Sequence, residues 1–413
     1  MKKRHFAPAA LAATALVVTA CGSGDNGGGD DDDVDFGSSL TIWADETRTP
    51  ILQEYTEKFQ EEYGVNVTIQ EHADELRETY VTATEQGQGP DILVGAHDWA
   101  GELARDGMVS PLQLTDSQRE QFDPSTLDAF TIDGNAYAVP YATENIALIR
   151  NTDLAPDAPE TFEEMIEVGQ DLVDAGEVDH PLAIPVSTNG DPYHGFPLFS
   201  SFGGYLFGTD DEGNFDTTDI GIDSPGGIAA FEKFAQLGEE GILTTSMGGD
   251  NTIPFFAEGD APFLISGPWA LGDAAAGGIN YEVSAIPGFE GEGPAAPFLG
   301  VQGFYLSSKA ENEVFAMEFL TNFVIDEELQ LLLAEAGGRL PAHTGAAEAF
   351  AADNPDLEGF AAAGEFAIPM PNIPEMNAIW EPFGRAQANA IDASVDGDEA
   401  ASTAADAIRS ELE

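Results

Sequence analysis

From residue 39 the chain alternates two hydrophobic periodicities. Leu40-Thr41-Ile42-Trp43 reads as a short buried strand. Thr49 and Pro50 then offer an N-cap and a first helical position, Ile51, Leu52, Tyr55 and Phe59 recur on one face, and Gly64 closes the helix. Val65, Val67 and Ile69 alternate as a second strand, and Leu76, Tyr80 and Ala83 recur at helical spacing. Asp91-Ile92-Leu93-Val94 gives a third strand, with Asp98 positioned to cap the helix after it. This βαβαβ order predicts an α/β fold of open, mainly parallel sheets flanked by helices. A second cycle begins near residue 160: Glu160 to Glu164 opens a helix, Pro181 to Val186 reads as a strand, Ser224 to Leu237 as a helix and Ala261 to Ser266 as a strand. From Glu311 onward the periodicity is mainly helical.

The first 38 residues follow neither period. Lys2, Lys3 and Arg4 precede an apolar and small-residue stretch, Phe6 to Ala20. It is shorter than the roughly 20 residues that span a bilayer and has the make-up of a signal-peptide core. Val18-Thr19-Ala20-Cys21 ends it, and Cys21 is the only cysteine, so no internal disulfide framework exists. The expected processing removes a signal peptide, 1–20, and acylates Cys21. Residues 21–38, rich in Gly, Ser and Asp, read as a flexible acidic tether. The Asp30 to Asp33 run lacks the spaced ligands of a calcium loop.

Charge narrows the classes of partner. The 413 residues hold 75 Asp plus Glu against 14 Lys plus Arg, a net charge of −61. Loss of residues 1–20 removes three bases and no acids, giving −64. Hydrophobic content of 43% still supports a packed core, unlike a disordered acidic tail. Nucleic acid is excluded as a partner, because no basic stripe exists to neutralise phosphates. Anionic ligands and anionic lipid surfaces are disfavoured on the same ground. An acidic surface of this extent fits a protein that stays soluble at high salt.

The candidate chemistry lies beyond strand ends, where open α/β sheets bind ligands. Trp43-Ala44-Asp45-Glu46 and Ala96-His97-Asp98-Trp99 place aromatic rings beside carboxylates, and all four tryptophans (Trp43, Trp99, Trp269, Trp380) fall near predicted strand ends or helix starts. An aromatic face stacks on the C–H side of a sugar ring while carboxylates accept hydrogen bonds from its hydroxyls. Asp98, Glu144 and Asp191 lie beside Trp99, Tyr141 and Tyr193. A glycoside hydrolase also needs two carboxylates, and sequence spacing leaves Asp98, Glu144 and Asp191 open to that role. His97 and His194 read as hydrogen-bonding or packing residues. There is no nucleophile elbow, zinc-type His pair or phosphate loop, so neither cofactor nor metal is expected.

Several motifs now combine: Gly89-Pro90-Asp91-Ile92 with Ala96-His97-Asp98, Val139-Pro140-Tyr141-Ala142 with Glu144, Asp191-Pro192-Tyr193, Gly203-Gly204-Tyr205, Gly267-Pro268-Trp269, and Met370-Pro371-Asn372-Ile373-Pro374-Glu375-Met376 leading to Trp380. In this order the chain resembles, over roughly 39–413, the maltose and maltodextrin-binding proteins of bacterial sugar ABC importers. The resemblance implies a two-lobed periplasmic-binding-protein fold, with an N-lobe of 39–143 and 303–325, a C-lobe of 146–300 and 329–413, and hinge crossings near 143–146, 299–303 and 324–329. It implies a monomeric, non-enzymatic receptor, lipid-anchored at Cys21 on the extracellular face of the cytoplasmic membrane. Such a receptor passes maltose or maltodextrin to permease subunits driven by a cytoplasmic ATPase. Asp98 and Glu144 match positions that hydrogen-bond glucose, Asp191 replaces a Glu, and Tyr193, Trp269 and Trp380 match stacking positions. In the acidic–cationic pair after the first strand, Asp45 or Glu46 takes the acidic place and Arg48 the cationic one. Departures at Gly95, Trp99, Leu271 and Glu381 alter subsite walls. They leave open a receptor for cyclodextrin, trehalose or another α- or β-linked sugar, and a chemoreceptor ligand-carrier.

Overall fold

The computed structural model describes residues 39–72, 76–210 and 214–413. The expected signal segment, Cys21 and the tether lie outside the described residues. The largest sheet has eight strands. Its path runs β14 (Leu340–Pro341), β7 (Ala138–Glu144), β13 (Phe298–Ser307), β3 (Ile92–Ala96), β1 (Ser39–Ala44) and β2 (Asn66–Glu71), and β4 (Val109–Ser110) and β15 (Ile368–Pro369) add to β13. A second sheet of three strands has β8 (Ala147–Asn151) between β11 (Phe263–Ser266) and β12 (Tyr281–Ser284). Two short antiparallel pairs, β5 (Thr131–Ile132) with β6 (Asn135–Ala136) and β9 (Phe207–Thr209) with β10 (Phe215–Ile220), stand apart.

The βαβαβ start is present. β1 pairs in parallel with both β2 and β3, and the helices Thr49–Tyr63 and Leu76–Glu85 make the connections. Alternation along β1 sends Leu40, Ile42 and Ala44 into a core with Leu52 and Phe59, and Trp43 into the opposite core with Tyr80 and Leu93. Trp43 is therefore core, its indole N–H donating to Gln70 at 2.7 Å. Pro50 opens the first helix and Gly64, at φ 64°, ends it. Thr49 is already helical, and its hydroxyl donates back to the Asp45 carbonyl at 2.7 Å.

The α/β class holds, but the parallel character is confined mainly to this first unit. β13 runs antiparallel to β3 and β7, and the three-stranded sheet is antiparallel throughout. The reason is topological. β7 leaves the large sheet at Glu144 and β13 re-enters beside it, with Gly300 opposite Glu144, so the two must run in opposite directions. Pro181 to Val186 forms no strand. Ala183 alone bridges Leu264, because Pro181 and Pro185 bring no N–H to a ladder.

The chain changes sheet, and with it core, between Glu144 and Ala147, and changes core again within β13, between Phe298 and Phe304. The stretch 324–329 does not coincide with a third change: Val324, Leu329, Leu333 and Ala342 all pack with Leu40 and Phe59. Buried Gln330 reinforces this, donating to the Pro140 carbonyl at 3.1 Å. Phe360 and Ala363 pack instead with Ile149 and Leu264.

The acidic residues have few cations to meet, so the folded surface repels itself at low ionic strength. The melting temperature is expected to rise between low and molar salt; a thermal scan with no such rise would contradict a surface balanced for salt.

Candidate ligand-binding cleft

β3 ends in a short 3-10 turn, His97–Trp99, which leads into the helix Ala100–Arg105. Asp98 does not cap that helix, contrary to expectation. Its side chain instead lines a cleft of about 680 Å³ together with Trp99, Glu144, Tyr193, Gln302, Trp380, Arg77 and Asn377, among others. His97 turns the other way. Its Nδ1 accepts from the Val301 amide and its Nε2 donates to the Met370 carbonyl, both at 3.0 Å. Burial pulls its pKa down to about 4, so a neutral ring ties β3, β13 and the segment leading to Trp380 together.

Glu144 ends β7 and is 9% exposed. Gln302 Nε2 donates to its Oε1 at 2.8 Å, and Arg339 Nε donates to its Oε2. Burial opposes its ionisation, but Arg339, with help from Arg48 and Gln302, outweighs that and holds the carboxyl below the usual range. Asp98 has no such partner. Burial pushes it up to about 6, against the weaker pull of a backbone N–H, Arg77 and the Trp380 indole. Tyr193 lies one residue into the helix Pro192–Ser201, and its buried Oη has no hydrogen-bond partner among the described residues. A buried hydroxyl left so costs free energy unless something in the cleft pairs with it.

The aromatic walls show why the departures at positions 95 and 99 belong together. A Cβ on Gly95 would fall inside the Trp99 ring. Trp99 fills the space that a side chain at 95 would occupy, so the indole itself forms this part of the wall. Trp269 lies over Gly267 in the same manner. It sits 6.4 Å from the Tyr193 ring, and the Arg339 guanidinium lies 5.0 Å above it.

The structure thus gathers Asp98, Trp99, Glu144, Tyr193 and Trp380 around one cleft. Trp269 lines an adjoining chamber. Asp191 caps the helix Pro192–Ser201: its carboxylate accepts from the His194 amide and pairs with His194 Nδ1, each at 3.0 Å. Arg48 is buried, pairing with Asp45 and donating to Tyr141 Oη, so its charge reaches Glu144 while neither it nor Asp45 lines the cleft. Glu46 is exposed and also outside the lining. Sequence reasoning missed Arg339, Gln302, Arg77 and Asn377. Arg339 had a signal, as one of nine arginines in so acidic a chain. Among the described residues, no group of three or more His, Cys, Asp or Glu is placed to hold a metal ion.

Aromatic faces, fixed and free carboxylates and an unpaired hydroxyl, set in one cleft on a mixed-sheet α/β frame, are the make-up of a solute-binding protein. Residues 54–359 match the bacterial extracellular solute-binding protein family, and the chain belongs to it. It is 30% identical to the maltotriose-binding protein of Pyrococcus abyssi, over 75% of this chain and 67% of that one. It is 28% identical to a maltooligosaccharide ABC transporter solute-binding lipoprotein of Streptococcus pneumoniae, over 95% and 93%. Identity to the galactooligosaccharide-binding protein of Bacillus subtilis is 26%, over 97% and 95%.

The raised pKa of Asp98 fixes a sign. Its ionised form is disfavoured by folding, so its contribution to stability is full below the ordinary carboxylate pKa and is lost as pH rises through about 6. Asp98→Asn is therefore expected to melt higher than the wild type at neutral pH, with the advantage shrinking toward pH 4. A difference in melting temperature that does not vary with pH would contradict this assignment.

Proposed function

We propose that this protein is a monomeric receptor, lipid-anchored at Cys21 on the extracellular face of the cytoplasmic membrane, that captures maltose or longer α-glucans. It delivers them to ABC permease subunits powered by a cytoplasmic ATPase. The observation that carries this reading is the cleft itself: Trp99, Tyr193 and Trp380 supply aromatic faces beside the hydrogen-bonding Asp98 and Glu144. The names of the Pyrococcus and Streptococcus relatives support the sugar class. Carboxylates at Glu78, Glu381 and Glu411 also line the cleft, which favours a neutral ligand over a phosphorylated one.

On this reading the chain has two lobes, and a ligand that bridges them favours the closed arrangement. The first lobe holds 39–143 and 303–325, the second 146–300 and 329–413, joined by three crossings. The core packing supports moving the third crossing beyond Ala342, since Leu329 to Ala342 share the first core. Capture needs no covalent step. A hydrolase reading draws on Asp98, whose pKa of about 6 suits a general acid. Glu144 argues against it, because both carboxylate oxygens are already engaged by Gln302 and Arg339. Reducing-sugar release from a glucan would support hydrolysis; binding without release supports the receptor.

Linkage is the open dimension, since the Bacillus relative is named for galactooligosaccharides. A thermal-shift panel of maltodextrins, cyclodextrin, trehalose and galactooligosaccharides is expected to give its largest shift with maltodextrins. Trp380→Ala is expected to weaken binding by about 1–3 kcal/mol through lost stacking, with the fold intact by circular dichroism. Unchanged maltodextrin affinity in that variant would remove Trp380 from the site.

A further inference from the structure

The segment that joins β15 to the helix Asn377–Ile391 has a stiff backbone. Pro369, Pro371 and Pro374 each fix a backbone angle and bring no N–H. One side of the segment belongs to the core that holds Phe199 and Phe231: Met370 and Met376 are buried there, with Ile373 and Trp380 packed against it. The other side lies on residues of the first lobe. His97 Nε2 donates to the Met370 carbonyl and Asn372 Nδ2 donates to the Ala129 carbonyl, both at 3.0 Å. The approach is tightest at Gly101. A Cβ there would come within 2.6 Å of the Pro374 nitrogen and 2.5 Å of the Ile373 carbonyl carbon, and closer still to the Asn372 carbonyl oxygen. All three are backbone atoms, so only glycine lets the segment lie against this helix as a strap. The helix is Ala100–Arg105, whose Ala100 and Leu103 pack with Tyr80 and Leu93, and the turn before it carries Asp98 and Trp99.

These contacts differ in where they lie. His97 also accepts from the Val301 amide, in the stretch of β13 where the chain changes core, so Met370 is held at a crossing. Gly101 and Ala129 lie off the crossings, in the first lobe alone. A rotation of the lobes about the crossings keeps the His97 contact and parts the strap from Gly101 and Ala129. We propose that the strap Met370–Pro374 is a latch between the lobes, and that Gly101 and Asn372 set the receptor's affinity although neither lines the cleft. The latch forms in the closed arrangement only. Free energy gained there favours closure, so it raises the affinity for every sugar by the same factor without touching any of them. The seated strap also brings the Trp380 indole to Asp98, across the cleft. The inference rests on the two-lobe receptor reading above.

Calorimetry with maltose and with maltoheptaose, paired with melting of the unliganded full chain, tests the latch. Gly101→Ala, which unseats the strap, is expected to weaken both sugars by the same factor, about tenfold or more. Asn372→Ala removes one hydrogen bond from a half-buried side chain and should weaken both about three- to tenfold. Asn372→Asp keeps the shape but sets a carboxylate against the Ala129 carbonyl, and should bind more weakly than Asn372→Ala. Unliganded, each variant should melt with the wild type, because the latch is then open. An unliganded melting temperature that falls as far as the sugar-bound one would show a contact common to both states and overturn the latch. Unchanged affinities, or a change confined to one sugar, would overturn it as well. In a wild type that binds both sugars such results are failures of the latch alone; a wild type that binds neither refutes the receptor reading.

Discussion

Burying a carboxylate where the chain leaves one sheet for another requires that its charge be answered on the spot, and Glu144 is that carboxylate. Its partners come from segments distant in sequence: Gln302 from the re-entering strand β13, Arg339 from the end of a helix, and Arg48 from the loop after β1. Removing a single partner from such a buried pair costs about 3–5 kcal/mol, because the other charge is left uncompensated. The same group forms part of the cleft wall. Fold integrity and the wall of the cleft therefore share one electrostatic centre.

Around that centre the two buried acids of the cleft, Glu144 and Asp98, are held differently. Glu144 is held in its ionised form by two donors, whereas Asp98 is buried with only weak support, which pushes its pKa up to about 6. Tyr193 keeps a buried hydroxyl unpaired. Asp98 and Tyr193 each sacrifice stability that a better-paired residue would keep, which is the pattern expected where a site is prepared for hydroxyl groups brought by a ligand.

Much of this was legible in the sequence, for reasons that can be named. Leu40, Ile42, Leu52 and Phe59 follow clear periods, so β1 and the first helix were found nearly residue for residue. The strand β13 was not, although it pairs with more strands than any other in the large sheet. Nearly all of Phe298–Ser307 is buried, so no alternation marks it, and Gly300 and Gly303 interrupt it. Asp98, Trp99, Glu144, Tyr193 and Trp380, each beside a turn or strand end in the sequence, all line one cleft. Asp191 carried the same signal but spends its carboxylate on a helix cap and His194. Asp45 and Arg48 bind each other behind the wall. Local sequence shows that such groups sit near a site, but only tertiary packing decides which of them face it. Arg339 was overlooked because its partners lie 195 and 70 residues away.

The net charge of −61 sharpens the site by contrast. With nine arginines in the whole chain, three of them, Arg48, Arg77 and Arg339, are held in or behind the cleft wall. The central claim is that this wall recognises an uncharged oligosaccharide. Isothermal titration with a maltose-to-maltoheptaose series, repeated at several salt concentrations, tests it most directly. The account predicts saturable one-to-one binding whose affinity changes little with salt, because the ligand carries no charge. Absence of binding across the series, or an affinity that collapses as salt is raised, would contradict it.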